Sequence, residues 1–346
     1  MAKTTNKEGA FQKNPLAKFA KSVGTQRLIA LLALIIIYLV FGFINPAFRS
    51  YATLVNIFDA SYYIGLMAIG VTFAITSDGI DLSIGTVLTC SALISGQLIT
   101  KYHLPVALGL LVCILIGSLF GLLNGLMVSY MHLPPFIATL GSMMLSKGLG
   151  SIFTKAQSVT WPQSSQAEGW FRNIFKINQN GVLIPTGFIL LIIVAVIASI
   201  LLNKTRPGRY IVALGSNSEA TRLSGVNIAK WRTLAYVISG TLAGLAGLAY
   251  ASIYSTILPG GGGGFELDAI AGVVIGGTSM SGGYGTISGT LIGVFIMSVL
   301  KTGLPFVGLQ SNWQQAVTGV VLVFAVFMDV MNRQKKKKEI GRASCR

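Results

Sequence analysis

Residues Leu28 to Ile44 read LIALLALIIIYLVFGFI, a run without one charged side chain. A helix needs about 20 predominantly apolar residues to cross a bilayer, so this run, entered from Arg27 and closed by Asn45-Pro46, reads as a membrane helix. Basic residues precede it, but no small-residue cleavage site follows, so the sequence predicts a retained first span instead of a removed leader. The rest of the chain has the same character. Of 346 residues, 53% are hydrophobic and only 10% charged, with a mean hydropathy of +0.71. Ordinary soluble domains carry about 25% charged residues, so this chain has too little polar surface to cover a water-soluble globule. Its 41 glycines are suited to close approach of helix backbones in a membrane.

Cutting the chain at charges and Pro/Gly clusters predicts an all-α, polytopic membrane protein with about ten spans, near 28–44, 60–77, 82–100, 106–130, 136–153, 182–203, 233–256, 266–281, 286–303 and 313–331. Gly141, Gly148 and Gly150 interrupt the fifth and the eighth is short, so either is a candidate for a broken or re-entrant segment lining a cavity. The domain plan is a basic N-terminal segment 1–27, a membrane domain 28–331 with a loop at 204–232, and a basic tail 332–346. The tail ends in Gly341 to Arg346, which reads as a cloning remnant.

The net charge of +16 suggests nucleic acid until its placement is considered. Six basic residues precede the first span, six lie between Lys204 and Arg232, and seven run from Arg333 onward, together 19 of the 26. Basic residues flanking apolar spans mark cytoplasmic segments, which predicts a multi-pass protein of the bacterial cytoplasmic membrane with both termini inside. Ten crossings agree with that parity, and no nucleic acid partner is expected. In the longest outside stretch, 154–181, Trp161, Trp170 and Phe171 are expected as interfacial anchors. Cys90 and Cys113 read as small buried hydrophobes, and His103 and His132 as interfacial or loop residues; no metal site or enzyme motif is evident.

Gly117, Gly121 and Gly125 precede Leu133-Pro134 and Phe136, and Gly285, Gly289 and Gly293 precede Leu304-Pro305-Phe306 at nearly the same distance. Spans two to five and seven to ten are therefore candidate inverted-topology repeats, although G-x-x-x-G stripes also recur in any tightly packed bundle. Four of the ten acidic residues fall in two apolar neighbourhoods: Asp78 and Asp81 before Ser83, and Glu266 with Asp268. A carboxylate near a membrane helix is costly and is kept for a reason, either as a helix cap or in contact with substrate or a coupling ion. Asp81, Glu266 and Asp268, with Ser83, Asn124 and Phe136, make the candidate set for a translocation path or gate.

Neither glycine run, 260–264 or 276–283, carries the G-x-x-x-x-G-K-[ST] pattern of a nucleotide-binding P-loop, nor does any other stretch, so an ATP site that drives transport must lie on another polypeptide. In the basic loop, Ser216 and Glu219 stand at capping-box spacing and Gly225 at a helix stop, predicting a two-turn helix through Asn217, Ser218, Glu219, Ala220, Thr221, Arg222, Leu223, Ser224 and Gly225. So short a helix is marginal alone and must pack on something, either this chain or a separate cytoplasmic protein.

Four stretches in order, Gly79 to Gly85, Gly208 to Lys230, Glu266 to Ala271 and Gly276 to Gly293, resemble permease subunits of bacterial ABC importers for monosaccharides. The ribose, galactose, arabinose and xylose systems form this group, and the ribose permeases are nearest. The resemblance spans residues 28–330 and implies a dimer of permease copies, homomeric or heteromeric, an extracytoplasmic sugar-binding protein, and a cytoplasmic ATPase with tandem cassettes that carries ATP and Mg. It implies no cofactor on this chain, and it makes the Asn217–Gly225 segment the coupling helix. Ser216 departs from a glycine common among relatives, and the run at 260–264 is unusually glycine-rich. The residues alone leave two rivals: a proton-coupled secondary transporter using Asp81 or Asp268, and a passive channel.

Overall fold

The computed structural model describes residues 25–344 except residue 180; the basic segment before Thr25, together with Cys345 and Arg346, lies outside the described residues. The helices in chain order are α1 Thr25–Ile44, α2 Tyr51–Thr76, α3 Ile84–Thr100, α4 Val106–Ser129, α5 Pro135–Phe153 and α6 Gly187–Lys204. They continue with α7 Arg206–Ser216, α8 Ser218–Leu223, α9 Ile228–Ile253, α10 Phe265–Ile275, α11 Ile287–Gly303 and α12 Ser311–Ser344. Seven of the described helices are long and apolar enough to cross a membrane, and Ile84–Thr100 and Asn312–Met328 are shorter apolar helices. The all-α polytopic architecture read from the apolar runs is therefore present.

Boundaries differ where local chemistry outweighs hydropathy. The second span begins at Tyr51 instead of residue 60, because Ser50 caps it by accepting from the Thr53 amide and the helix continues through Asn56 and Asp59. Residues 182–184 are not helical; they pair with Ile177–Gln179 as an antiparallel hairpin, and α6 starts at Gly187. The glycines of the fifth span do not break it, and α5 is continuous from Pro135 to Phe153. The eighth span is the broken one: α10 has 11 residues, about 16 Å, and ends at Gly276 before a non-helical turn.

The order of one long helix, one short helix and two more recurs in α2 to α5 and α9 to α12. Helix α2 is the core element, with nearly all of its side chains from Asp59 to Thr76 buried. It lies against α9 and α11, and α9 in turn packs on α4. The α4–α9 contact is backbone on backbone: a Cβ on Gly117 would run into the carbonyl of Gly240, and one on Gly121 into that of Tyr236. The second glycine stripe meets a different kind of partner, since Gly289 and Gly293 face Gly276 and Gly272 of the short α10. Helices α1, α4, α5, α6 and α12 turn rows of exposed Leu, Ile, Val and Phe outward, the surface a hydrocarbon solvent requires.

The long connection between α5 and α6 is stapled down, which corrects the expectation of interfacial anchors. Trp161 is fully buried and donates through Nε1 to the Ala92 carbonyl (3.0 Å), and buried Phe171 packs on its ring at 5.3 Å; only Trp170 stays exposed. Buried Arg172 donates to the carbonyls of Pro162 and Ser252, and burial lowers its pKa from the ordinary arginine value. Val159–Thr160 also pairs antiparallel with Thr256–Ile257.

Candidate functional site

Two helix ends and one turn meet at the end of the bundle that carries the basic 204–232 loop. The end of α7, the end of α2 and the turn between α10 and α11 are in contact: the Gly283 amide donates to the Thr76 carbonyl (2.9 Å), and the Ser216 hydroxyl reaches the Gly283 carbonyl (3.4 Å). Gly215 is obligatory there, because a Cβ would collide with the Thr76 carbonyl and the Gly283 amide. From this seat the chain leaves as the six-residue helix α8.

The capping box expected between Ser216 and Glu219 does not form. The Ser216 hydroxyl is engaged with the Val212 carbonyl (3.0 Å), so Asn217 takes the N-cap and its Oδ1 accepts from the Ala220 amide (2.9 Å). Glu219 instead pairs with Arg222 at 2.6 Å, and both are exposed. Gly225 adopts φ +77°, the left-handed stop expected of it. Thr221 turns inward and Ser218, Glu219, Ala220, Arg222, Leu223 and Ser224 face out; Leu223 is 80% exposed, an apolar side chain with no cover from its own chain.

The chain after α2 turns back into the bundle instead of staying at the surface. Asp81 is fully buried there, and its carboxylate gathers donors from three elements. Oδ1 accepts from the Ser83 amide (3.1 Å), the Ser83 hydroxyl (2.7 Å) and Asn124 Nδ2 of α4 (3.3 Å), while Oδ2 accepts from the Ser239 hydroxyl of α9 (2.8 Å). Ser83 holds the N-cap position of α3 without a capping bond, so Asp81 and Ser83 act less as a helix cap than as a tie between the α2–α3 junction and two long helices. Gly79 is needed beside it, since any Cβ would meet the Tyr236 hydroxyl.

The second acidic string opens α10. Glu266 Oε1 accepts from the Gly264 amide (2.9 Å), a cap of the kind expected, while Oε2 is buried without a partner and lies against Gly85 at the start of α3. The two short helices thus begin side by side. Asp268 ties three helices, accepting at Oδ2 from Lys301 Nζ of α11 (2.8 Å) and at Oδ1 from the Thr318 hydroxyl of α12 (3.1 Å). Lys301 sits over the rings of Phe265 and Tyr63, at 4.7 and 5.6 Å. Of the candidate path residues the structure therefore joins Asp81, Ser83 and Asn124 in one cluster, places Glu266 and Asp268 on the first turn of α10, and leaves Phe136 half-exposed on the outer face of α5, apart from both. Ser239, Lys301 and Thr318 escaped the sequence reading. Among the described residues no group of three or more His, Cys, Asp or Glu could hold a metal ion.

Comparison with known proteins bears on this arrangement. The family described as branched-chain amino acid transport system / permease component matches residues 53–326. A ribose import permease protein, RbsC, of Haemophilus influenzae is 37% identical over 300 residues, covering 86% of this chain and 91% of that one. RbsC of Escherichia coli K12 is 35% identical over 302 residues, covering 87% and 92%. The galactose/methyl galactoside import permease protein MglC of Salmonella typhimurium is 35% identical over 332 residues, covering 90% and 94%. No solved structure matches the chain. With the match running through both junctions, the short exposed helix and the acidic α10, the chain belongs to this family of transport permease components and is a membrane transport subunit, not an enzyme.

Proposed function

We propose that the chain is the membrane subunit of an ATP-driven importer that passes a monosaccharide, a ribose-like pentose or a hexose, from an extracytoplasmic binding protein into the cytoplasm. Helix α8 carries this reading. It is exposed, presents Leu223 outward, and is seated through Gly215 and Ser216 on the ends of α2 and of the α10–α11 turn. A cytoplasmic ATPase with tandem cassettes, holding the ATP and Mg, grips α8 and rocks these seats. Two permease copies, identical or related, enclose the sugar path between them. The basic charge clusters put the N-terminus, the 204–232 loop and the C-terminus in the cytoplasm. The recurring helix order supports reading α2–α5 and α9–α12 as inverted repeats.

The test is reconstitution with the partner ATPase and binding protein. Replacing Glu219 by Trp, or Gly225 by Val where φ is +77°, lowers sugar-stimulated ATP hydrolysis while the permease still inserts. Normal complex formation and normal stimulated hydrolysis in both variants would remove the assignment of α8. Saturable sugar uptake by this chain alone, in ATP-free liposomes under a pH gradient, would favour a proton-coupled carrier, and non-saturating conduction a channel.

A further inference from the structure

A cavity of about 380 Å³ opens between α10, α11 and α12. That volume lies inside the roughly 300–1,000 Å³ range of small-ligand sites. Its wall includes Phe265, Asp268, Lys301, Gln314, Gln315 and Thr318. A carboxylate, an ammonium, two primary amides and a hydroxyl on one wall are an unusual concentration of polar groups for a bundle whose outer helices are otherwise rows of Leu, Ile and Val. Lys301 stands in the last turn of α11 against Tyr63, and Gln314 and Gln315 lie near the start of α12, so the pocket opens where these helices end. Ionisable residues beside membrane spans that face a cavity are candidates for a substrate path.

The internal bonds account for part of this polarity. Asp268 is consumed as a tie, one oxygen taking the Lys301 ammonium and the other the Thr318 hydroxyl. Lys301 keeps further N–H donors beyond the one directed at Asp268, and the Thr318 oxygen keeps acceptor capacity. Gln314 and Gln315 each add a donor and an acceptor from the first turn of α12. Donors and acceptors are thus present in similar measure with the one full charge pair already neutralised, which suits a neutral polyhydroxylated molecule and suits neither a free anion nor a free cation.

We propose that this pocket contacts the sugar during passage, with Lys301, Gln314, Gln315 and Thr318 hydrogen-bonding its hydroxyls and Asp268 holding Lys301 and Thr318 in position. The inference rests on the proposed importer function and assigns a contact site within it. The experiment uses proteoliposomes containing the full permease, its ATPase and its binding protein, with D-ribose and D-galactose as probes. Two readouts are taken: sugars moved per ATP hydrolysed, and the alkylation rate of Gln315→Cys. Gln314→Leu and Lys301→Met are each expected to lower the transport ratio about tenfold, and sugar-loaded binding protein under turnover to slow alkylation of the cysteine more than empty binding protein does. Because Lys301→Met also breaks the ion pair, Gln314→Leu, which leaves that pair intact, decides if the first variant fails to fold. A wild-type complex that moves either sugar while Gln314→Leu keeps the full ratio and alkylation ignores the sugar overturns the pocket alone. A wild-type complex that moves neither sugar counts against the importer reading itself.

Discussion

Replacing Asp81 by alanine tests the claim that this carboxylate is a strut. Truncation removes the acceptor for the Ser83 amide, the Ser83 hydroxyl, Asn124 Nδ2 and the Ser239 hydroxyl, all in fully buried surroundings. A buried donor left unsatisfied costs about 1–3 kcal/mol. The hydroxyls can rotate towards other acceptors and the desolvated charge itself is gone, so the expected net loss is about 2–4 kcal/mol, below the sum of the parts. Ser239→Ala removes one neutral donor and is expected to cost about 1 kcal/mol. The two substitutions share a bond, so in a double-mutant cycle the pair should cost about 1 kcal/mol less than the sum of the singles. Thermal unfolding of the detergent-solubilised permease, followed by loss of the monodisperse peak, measures all three variants. Transport by Asp81→Ala should fall with the folded fraction while its pH optimum stays where it is. A wild-type unfolding midpoint for Asp81→Ala, or an additive cycle, would falsify the strut; a moved pH optimum would return Asp81 to the role of proton carrier.

Two further outcomes follow from the packing. Gly215→Ala should sharply reduce the yield of folded permease, because its Cβ has only the Thr76 and Gly283 backbones to enter, whereas Gly141→Ala, with open space around its Cβ, should stay within about 0.5 kcal/mol of wild type in the same unfolding assay. Cysteines placed at the exposed Ser218 and Gln163 should react with an impermeant maleimide from opposite sides of the membrane, Ser218→Cys from the cytoplasm; labelling of both from one side contradicts the topology.

The helices were legible because hydrocarbon thickness and backbone satisfaction leave few alternatives to an apolar helix, and every predicted span has a helix in it. What escaped is chemistry that only tertiary contact decides. Asp59 kept α2 from being read back to Tyr51, since its partner Lys176 lies 117 residues further on. Lys301 was visible as a charge inside the predicted 286–303 span, and Asp268 as one inside 266–281, but nothing in either run joins them across 33 residues. The N-cap of α8 shifted by one position for a local reason: α7 runs on through Ser216, whose hydroxyl bonds back to the Val212 carbonyl, and Asn217 takes the cap. Trp161 looked like an interfacial anchor because its burial depends on the carbonyl of Ala92, supplied by a distant helix.

That buried indole also makes the long α5–α6 connection observable by light. The chain has four tryptophans; Trp170 is 48% and Trp313 56% exposed, Trp231 is partly exposed, and Trp161 alone is sealed with its Nε1 bonded. With Trp170, Trp231 and Trp313 replaced by phenylalanine, emission reports a single dry environment, blue-shifted and shielded from acrylamide. Any event that lifts the connection from α3 exposes this one fluorophore, so a red shift with new quenching times the motion without an added label.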